Sequence, residues 1–336
     1  MSATTTTAAL APADATALRA CLDQQVVPRL LGRRCPVLHV DRQASSTATS
    51  YESYVVSAEL ADGRKLRLFL KDYGSSRRPR RHPTARRERE LLVYRELLPR
   101  AGLGTARHLG AVWEQEGGPH WLLLELVEGP VVRDLELEHW TRPLAWLGRL
   151  HGRFMGAWDG AEPPPFLERH DERFFRGKAD SALAALAGRN HRLARRMAVV
   201  RDRYERLLPT LTAGPRTLVH GAFLPANVIA AAGEGDRLCV VDWELAGVGS
   251  PFYDLAFFCD GFEPPALRRM LAAYRGEAEG DWLARLDEQE LVRRIDCFRL
   301  HRVMALLELA IDKDYPPEGL QRLVSHGERL SALVDD

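Results

Sequence analysis

The chain has 336 residues, 46% of them apolar, enough to bury one large core or two moderate ones. Its formal net charge of +1 provides no bulk attraction for nucleic acid. Five scattered cysteines without short paired spacing (Cys21, Cys35, Cys239, Cys259, Cys297) argue against a disulfide framework or a zinc site, and no run approaches the roughly 18 uncharged apolar residues of a membrane span.

Residues 1–12 have neither the basic start nor the apolar segment of a secretory signal, so a disordered tail and a cytoplasmic location are expected. From about Ala13 to Leu31, the spacing of Leu18, Leu22, Val26, Val27 and Leu30 predicts an amphipathic helix. Val37–Val40, Tyr51–Leu60 and Lys65–Leu70 read as strands, the last two joined by an Asp62-Gly63 turn. Between the first two lies the hydroxyl-rich stretch Ala44–Ser50, which contains Ser45, Ser46 and Thr47 and no glycine. On composition it is a solvated hairpin loop or a set of phosphate donors.

The third strand is expected to end on Lys71. A dense basic run follows, Arg77, Arg78, Arg80, Arg81 and His82, continuing with Arg86, Arg87 and Arg89 into a helix expected over Thr84–Pro99. It reads as a solvated face or a docking site for an acidic peptide or phosphorylated partner; without interleaved aromatics, nucleic acid is disfavoured. Two more strands are expected, Ala106–Val112 and His120–Leu126, the second leading into Val127-Glu128-Gly129.

Beyond Gly129 the pattern turns helical: Trp140–Phe154, Ala179–Leu186 and His191–Leu208, with no strand expected before Leu218. A further helical series runs from Pro264, namely Ala266–Tyr274, Asp281–Leu286, Glu288–Ile311 with Asp287 as its expected cap, and a last helix near Leu320–Val334. The organisation is α+β, with a tail over 1–12, a strand-rich lobe over 13–127 and a helix-rich lobe over 128–336.

The richest stretch is Leu218-Val-His-Gly-Ala-Phe-Leu-Pro-Ala-Asn227 followed by Leu238-Cys-Val-Val-Asp-Trp-Glu244. An apolar strand ends at His220, a loop delivers Asn227, and a second apolar strand delivers Asp242. An amide and a carboxylate are hard oxygen ligands of the kind Mg²⁺ takes beside phosphates.

This spacing resembles the aminoglycoside phosphotransferase and choline kinase superfamily, whose loop reads His-Gly-Asp-x-x-x-x-Asn and whose metal strand reads Asp-Trp-Glu. The resemblance spans roughly residues 37–258 and implies a two-lobed protein-kinase-like fold with a small antiparallel sheet in the N-lobe and a mostly helical C-lobe. It implies an ATP- and Mg²⁺-dependent phosphotransferase acting on a hydroxyl of a small molecule or peptide. Asn227 and Asp242 would be the metal ligands, Lys71 would hold the phosphates, and Glu90 would pair with Lys71, with Glu88 in reserve. Ser45, Ser46 and Thr47 would cover the phosphates, and the backbone around Glu125 and Val127 would bind the adenine. His220, His151 and Asp254 (in Ser250-Pro-Phe-Tyr-Asp-Leu-Ala256) would brace the loop.

One residue departs from the pattern. Ala222 stands where the family has the Asp that accepts the proton of the attacking hydroxyl, and a methyl group can do neither that nor carry charge. Three readings remain open: a slow or substrate-assisted phosphotransferase, a nucleotide-binding pseudokinase acting as an interaction module, or an active kinase whose Asp has been exchanged for Ala222.

Overall fold

The computed structural model describes residues 12–45, 51–76, 82–113, 118–233, 235, 237–278, 282, 283 and 285–334. Ser46, Thr47, Arg77, Arg78, Arg80, Arg81 and nearly all of the expected tail lie outside the described residues. The chain divides into two compact units, the first made of residues 1–130 and 229–244, the second of residues 131–228 and 245–336.

In the first unit, α1 (Pro12–Cys21), a π-helical turn over Leu22–Val26 and α2 (Val27–Leu31) form one helical run. Five antiparallel strands follow in the order β1-β2-β3-β5-β4: β1 is Val37–Ala44, β2 Tyr51–Leu60, β3 Lys65–Ser76, β4 His108–Trp113 and β5 His120–Glu125. Successive side chains in a strand point to opposite faces. On one face Val56, Leu60, Leu68, Leu70 and Leu123 join Leu18, Leu22 and Val26 of the leading helix in a single buried cluster. Each such side chain contributes about 1.5–3 kcal/mol by leaving water. The same alternation turns Lys71 and Tyr73 to the other face, and Ser53, the neighbour of Lys71 in the β2–β3 register, brings Tyr51 there too.

The helix expected over Thr84–Pro99 runs as α3 (Pro83–Leu92), a π-helical turn over Val93–Leu97 and α4 (Leu98–Ala101). The first unit is completed by β8 (Val228–Ala230) paired with β9 (Leu238–Val240). At Gly129 the chain passes so close to this returning segment that an added Cβ would lie 1.9 Å from the Ala230 carbonyl oxygen. Only glycine fits there. Ala230 and Ala232 donate their N–H groups to Pro130 and Glu128 on the same stretch, at 3.0 and 2.8 Å.

The second unit is mainly helical: α5 (Thr141–Phe154), α6 (Glu172–Arg189), α7 (His191–Thr212), α8 (Phe252–Phe258), α9 (Pro264–Glu277), α10 (Glu288–Asp312) and α11 (Pro317–Leu333). In α5, Leu144, Leu147, Leu150, His151 and Phe154 fall at helical spacing and are buried. A small three-stranded sheet carries β10 (Gly247–Gly249) between β6 (Glu168–Arg169) and β7 (Thr217–Val219).

Three expectations are corrected. Lys71 does not end its strand: β3 continues to Ser76 because Asp72 pairs with both Glu52 and Trp121 across the sheet. A strand does precede Leu218, the two-residue β6, which is too short to show a period. The segment expected as a helix over Asp281–Leu286 forms turns at its described residues, with Leu283 buried and the carbonyls of Leu283 and Leu286 accepting from Arg275. So few residues recover little of the cost of nucleating a helix. No helix of the described residues is long and apolar enough to cross a membrane.

Candidate functional site

Within the first unit, Lys71 donates from Nζ to Glu90 Oε2 at 2.7 Å and to Asp242 Oδ1 at 2.8 Å. The structure thus brings together three of the residues singled out in the sequence. Glu88, the reserve, is exposed. The side chains of Lys71 and Glu90 are 12% and 2% exposed, whereas that of Asp242 is 33% exposed, so Asp242 is the end of the relay that a ligand can reach. Glu244 joins Glu90 and Asp242 with one ligand oxygen from each within 4.8 Å of the others, a donor set of hard oxygens that fits a divalent cation.

Burial alone would depress the Lys71 ammonium, but Asp242, Glu90 and Glu244 overcome it and hold its pKa above the ordinary lysine value. The lysine therefore stays charged. Burial pushes the Glu90 carboxyl up, with Lys71 pulling it back. Burial and the neighbouring Glu90 carboxylate also raise the Tyr73 hydroxyl well above its usual range. The rings of Tyr51 and Tyr73 stand 5.5 and 5.4 Å from Lys71 Nζ and 4.8 Å from each other, flanking the ammonium with two aromatic faces.

The remaining residues of the expected nucleotide site are dispersed. Ser45 extends the β1–β2 ladder, its N–H donating to the Ser53 carbonyl at 2.8 Å. Glu125 ends β5; its N–H donates to the Arg107 carbonyl, and its carboxylate accepts from both arms of Arg237 at 3.0 Å. Val127 follows, half-buried, in the segment leading to Gly129.

Within the second unit, the loop after β7 is held by one buried carboxylate. Asp254 accepts from the backbone N–H of His220 at 2.6 Å and of Gly221 at 3.0 Å, and lies 3.4 Å from His151 Nε2. His151 is oriented through its other nitrogen by the Tyr274 hydroxyl at 2.8 Å. Gly221 takes a positive φ of 81°, and an added Cβ would meet the Leu245 carbonyl oxygen at 2.0 Å. His220 is fully buried, and its Nδ1 accepts from the Ala222 N–H at 3.2 Å, the contact of a bracing residue. Asn227 donates its amide nitrogen to the Ala222 carbonyl at 3.0 Å, which turns the side-chain oxygen, the atom that could ligate a metal, away from that carbonyl.

Sequence reasoning missed Glu244 as part of the carboxylate cluster, the two tyrosines, and the inward role of two arginines. In the sequence Arg86 and Arg89 belong to the basic run expected as a solvated face or a docking site. Instead Arg89, buried, donates to the Glu244 carbonyl at 2.7 Å, and Arg86 reaches the Glu244 carboxylate at 3.4 Å. This removes two charges from the expected docking surface. The signal was present: residues three apart share a helix face.

The antiparallel sheet and helical remainder, with a strand lysine tied to a helix glutamate, define a protein of the protein-kinase-like α+β fold. The model of the phosphotransferase enzyme family matches residues 47–291, and the chain belongs to this family. Three solved structures share the fold at low identity. A microcompartment-associated aminopropanol kinase superposes with a TM-score of 0.63 at 18% identity, covering 88% of this chain and 92% of that one. A choline kinase from Streptococcus pneumoniae gives 0.58 at 16%, covering 91% and 96%. The GDP complex of an aminoglycoside 2'-phosphotransferase gives 0.57 at 12%, covering 91% and 96%. A 61-residue stretch is 38% identical to acyl-CoA dehydrogenase family member 10 of Mus musculus, spanning 18% of this chain and 6% of that protein.

Proposed function

We propose that the chain is a cytoplasmic ATP- and Mg²⁺-dependent phosphotransferase for the hydroxyl of a small molecule, slowed or rerouted by the methyl group of Ala222. The observation that carries this reading is the buried Lys71 ammonium held between Glu90 and the half-open Asp242. A permanently charged lysine fixed by one carboxylate and facing a second is suited to hold nucleotide phosphates, since phosphoryl transfer depends on positioning and charge neutralisation.

In this reading Lys71 binds the phosphates, Glu90 fixes its direction, and Asp242 and Asn227 hold the metal through a carboxylate and an amide oxygen. Magnesium, when bound, neutralises charge on the phosphate oxygens. The backbone around Glu125 and Val127 takes the adenine edge, and Ser45 is assigned to the phosphates together with Ser46 and Thr47. His220 and Asp254 shape the loop. None of these groups replaces the proton acceptor that an aspartate at position 222 would supply, so a reactive acceptor must lose its proton to water or to one of its own groups. The aminopropanol, choline and aminoglycoside named for the structural relatives suggest hydroxyl-bearing amines as the first acceptors to try.

Calorimetric titration with ATP, with and without Mg²⁺, tests the reading. The chain should bind Mg-ATP, and Asp242→Asn should abolish the gain that Mg²⁺ gives. Absence of binding, with Asp242→Asn indistinguishable from the parent, would falsify it. Ala222→Asp should raise transfer to an amine-alcohol acceptor by about 10²–10⁴-fold, the usual contribution of a general base. If nucleotide binds and Ala222→Asp stays silent with every acceptor, the pseudokinase reading, which Ala222 itself favours, replaces this one.

A further inference from the structure

We infer that Arg89 is a positioning residue for Asp242: it clamps the backbone just beyond Asp242 and so keeps the carboxylate in its ligand-facing conformation. The inference rests on the metal-nucleotide reading for its consequence, but on geometry for its content.

Asp242 has φ +71°, in the left-handed region. A residue with a side chain pays for that conformation and keeps it only where its surroundings over-determine it. Three of the contacts around it bear on this. The Trp243 indole, fully buried, folds back to donate to the Val240 carbonyl at 3.1 Å. Lys71 holds the Asp242 carboxylate. Arg89 donates to the Glu244 carbonyl at 2.7 Å, two residues beyond the left-handed position.

Arg89 is 7% exposed and gives one of its guanidinium N–H groups to this main-chain carbonyl. Its place in the chain gives that contact its consequence. Arg89 precedes Glu90 in α3, so the helix that fixes Lys71 also fixes the turn presenting Asp242. A shift of α3 would move both partners of the relay together. Arg86, one turn earlier on the same helix, brings a further positive charge to the Glu244 carboxylate at 3.4 Å.

Two measurements test the role, using the full chain with Arg89→Met. In its crystal structure Asp242 should leave the left-handed region. A folded variant with φ still near the parent value overturns the inference, whatever the nucleotide does. By titration, ATP affinity in EDTA should match the parent, whereas the gain conferred by Mg²⁺ should fall by about 10–100-fold, the loss typical when a group supporting a metal ligand is removed. An equal fall in both conditions would mark a general structural defect and also overturns it. Should the parent bind no nucleotide, the phosphotransferase reading fails while the crystallographic result still decides the role of Arg89. If Arg89→Met does not fold, Arg89→Lys, which keeps the charge and loses the reach, is read by the same angle.

Discussion

Gly221 shows how much a single position can carry. It combines a positive φ, an N–H committed to Asp254 and a carbonyl 2.0 Å from where a Cβ would stand. Gly221→Ala should therefore cost about 1–2 kcal/mol for the left-handed backbone alone, with the steric clash added. A urea midpoint equal to the parent's would contradict this. His301 makes a second residue-scale prediction. Burial, then Lys178, lowers its pKa to about 3, and its Nδ1 sits 2.8 Å from the Tyr204 hydroxyl. The unfolded chain binds a proton near 6.5 that the folded chain refuses, so this group's effect is absent above that pH and destabilises progressively as pH falls toward 3. The cost is about 2 kcal/mol at pH 5. Comparing unfolding free energies at pH 7 and pH 5 for the parent and His301→Gln should show the variant losing that much less. Residue identities were readable in the sequence where chemistry is local, as with Asp242 and its Trp-Glu sequel. The left-handed backbone at Asp242 and the inward turn of Arg89 were not, because both depend on partners more than 150 positions away in the chain.

At the scale of elements, the sequence marks what its own period marks. β2 alternates from Tyr54 to Leu60 and reads correctly, and Asp287 caps α10, its carboxylate accepting from the Glu290 N–H at 2.7 Å. Asp287→Ala should cost about 1 kcal/mol, measurable as a drop in the thermal midpoint; no change would mean that water satisfies the helix end equally well. β3 reads as shorter in the sequence because Asp72, Gly74, Ser75 and Ser76 are poor strand formers; β2 and β5 both pair with Asp72, and Tyr51 of β2 pairs with Ser76 at the end of the strand. α6 was found late because its first turns, Glu172–Lys178, are mostly charged and include Gly177. Its N-cap is Asp171, which accepts from the Phe174 N–H at 2.9 Å.

At the scale of the whole molecule, the sequence shows a strand-rich stretch followed by a helix-rich one, which is enough for the α+β class. It does not show that residues 229–244 belong with the first 130, since that grouping is made by contacts distant in sequence: Gly129 against Ala230, Arg237 on Glu125, Asp242 on Lys71. A fragment ending at Pro130 would lack all of these. It is expected to lose cooperative thermal unfolding, with Glu90 and Lys71 left without the second carboxylate; a sharp transition in that fragment would show that the returning segment is dispensable.

The return at Ile229–Glu244 also sets an order of events during synthesis. About a hundred residues must leave the ribosome between Pro130 and the segment that completes the first unit. At 5–20 residues per second that is a wait of about 5–20 s. Throughout it the nascent chain presents a finished sheet with its ammonium group short of one counter-charge, a window in which chaperones, rather than tertiary partners, would guard the polypeptide.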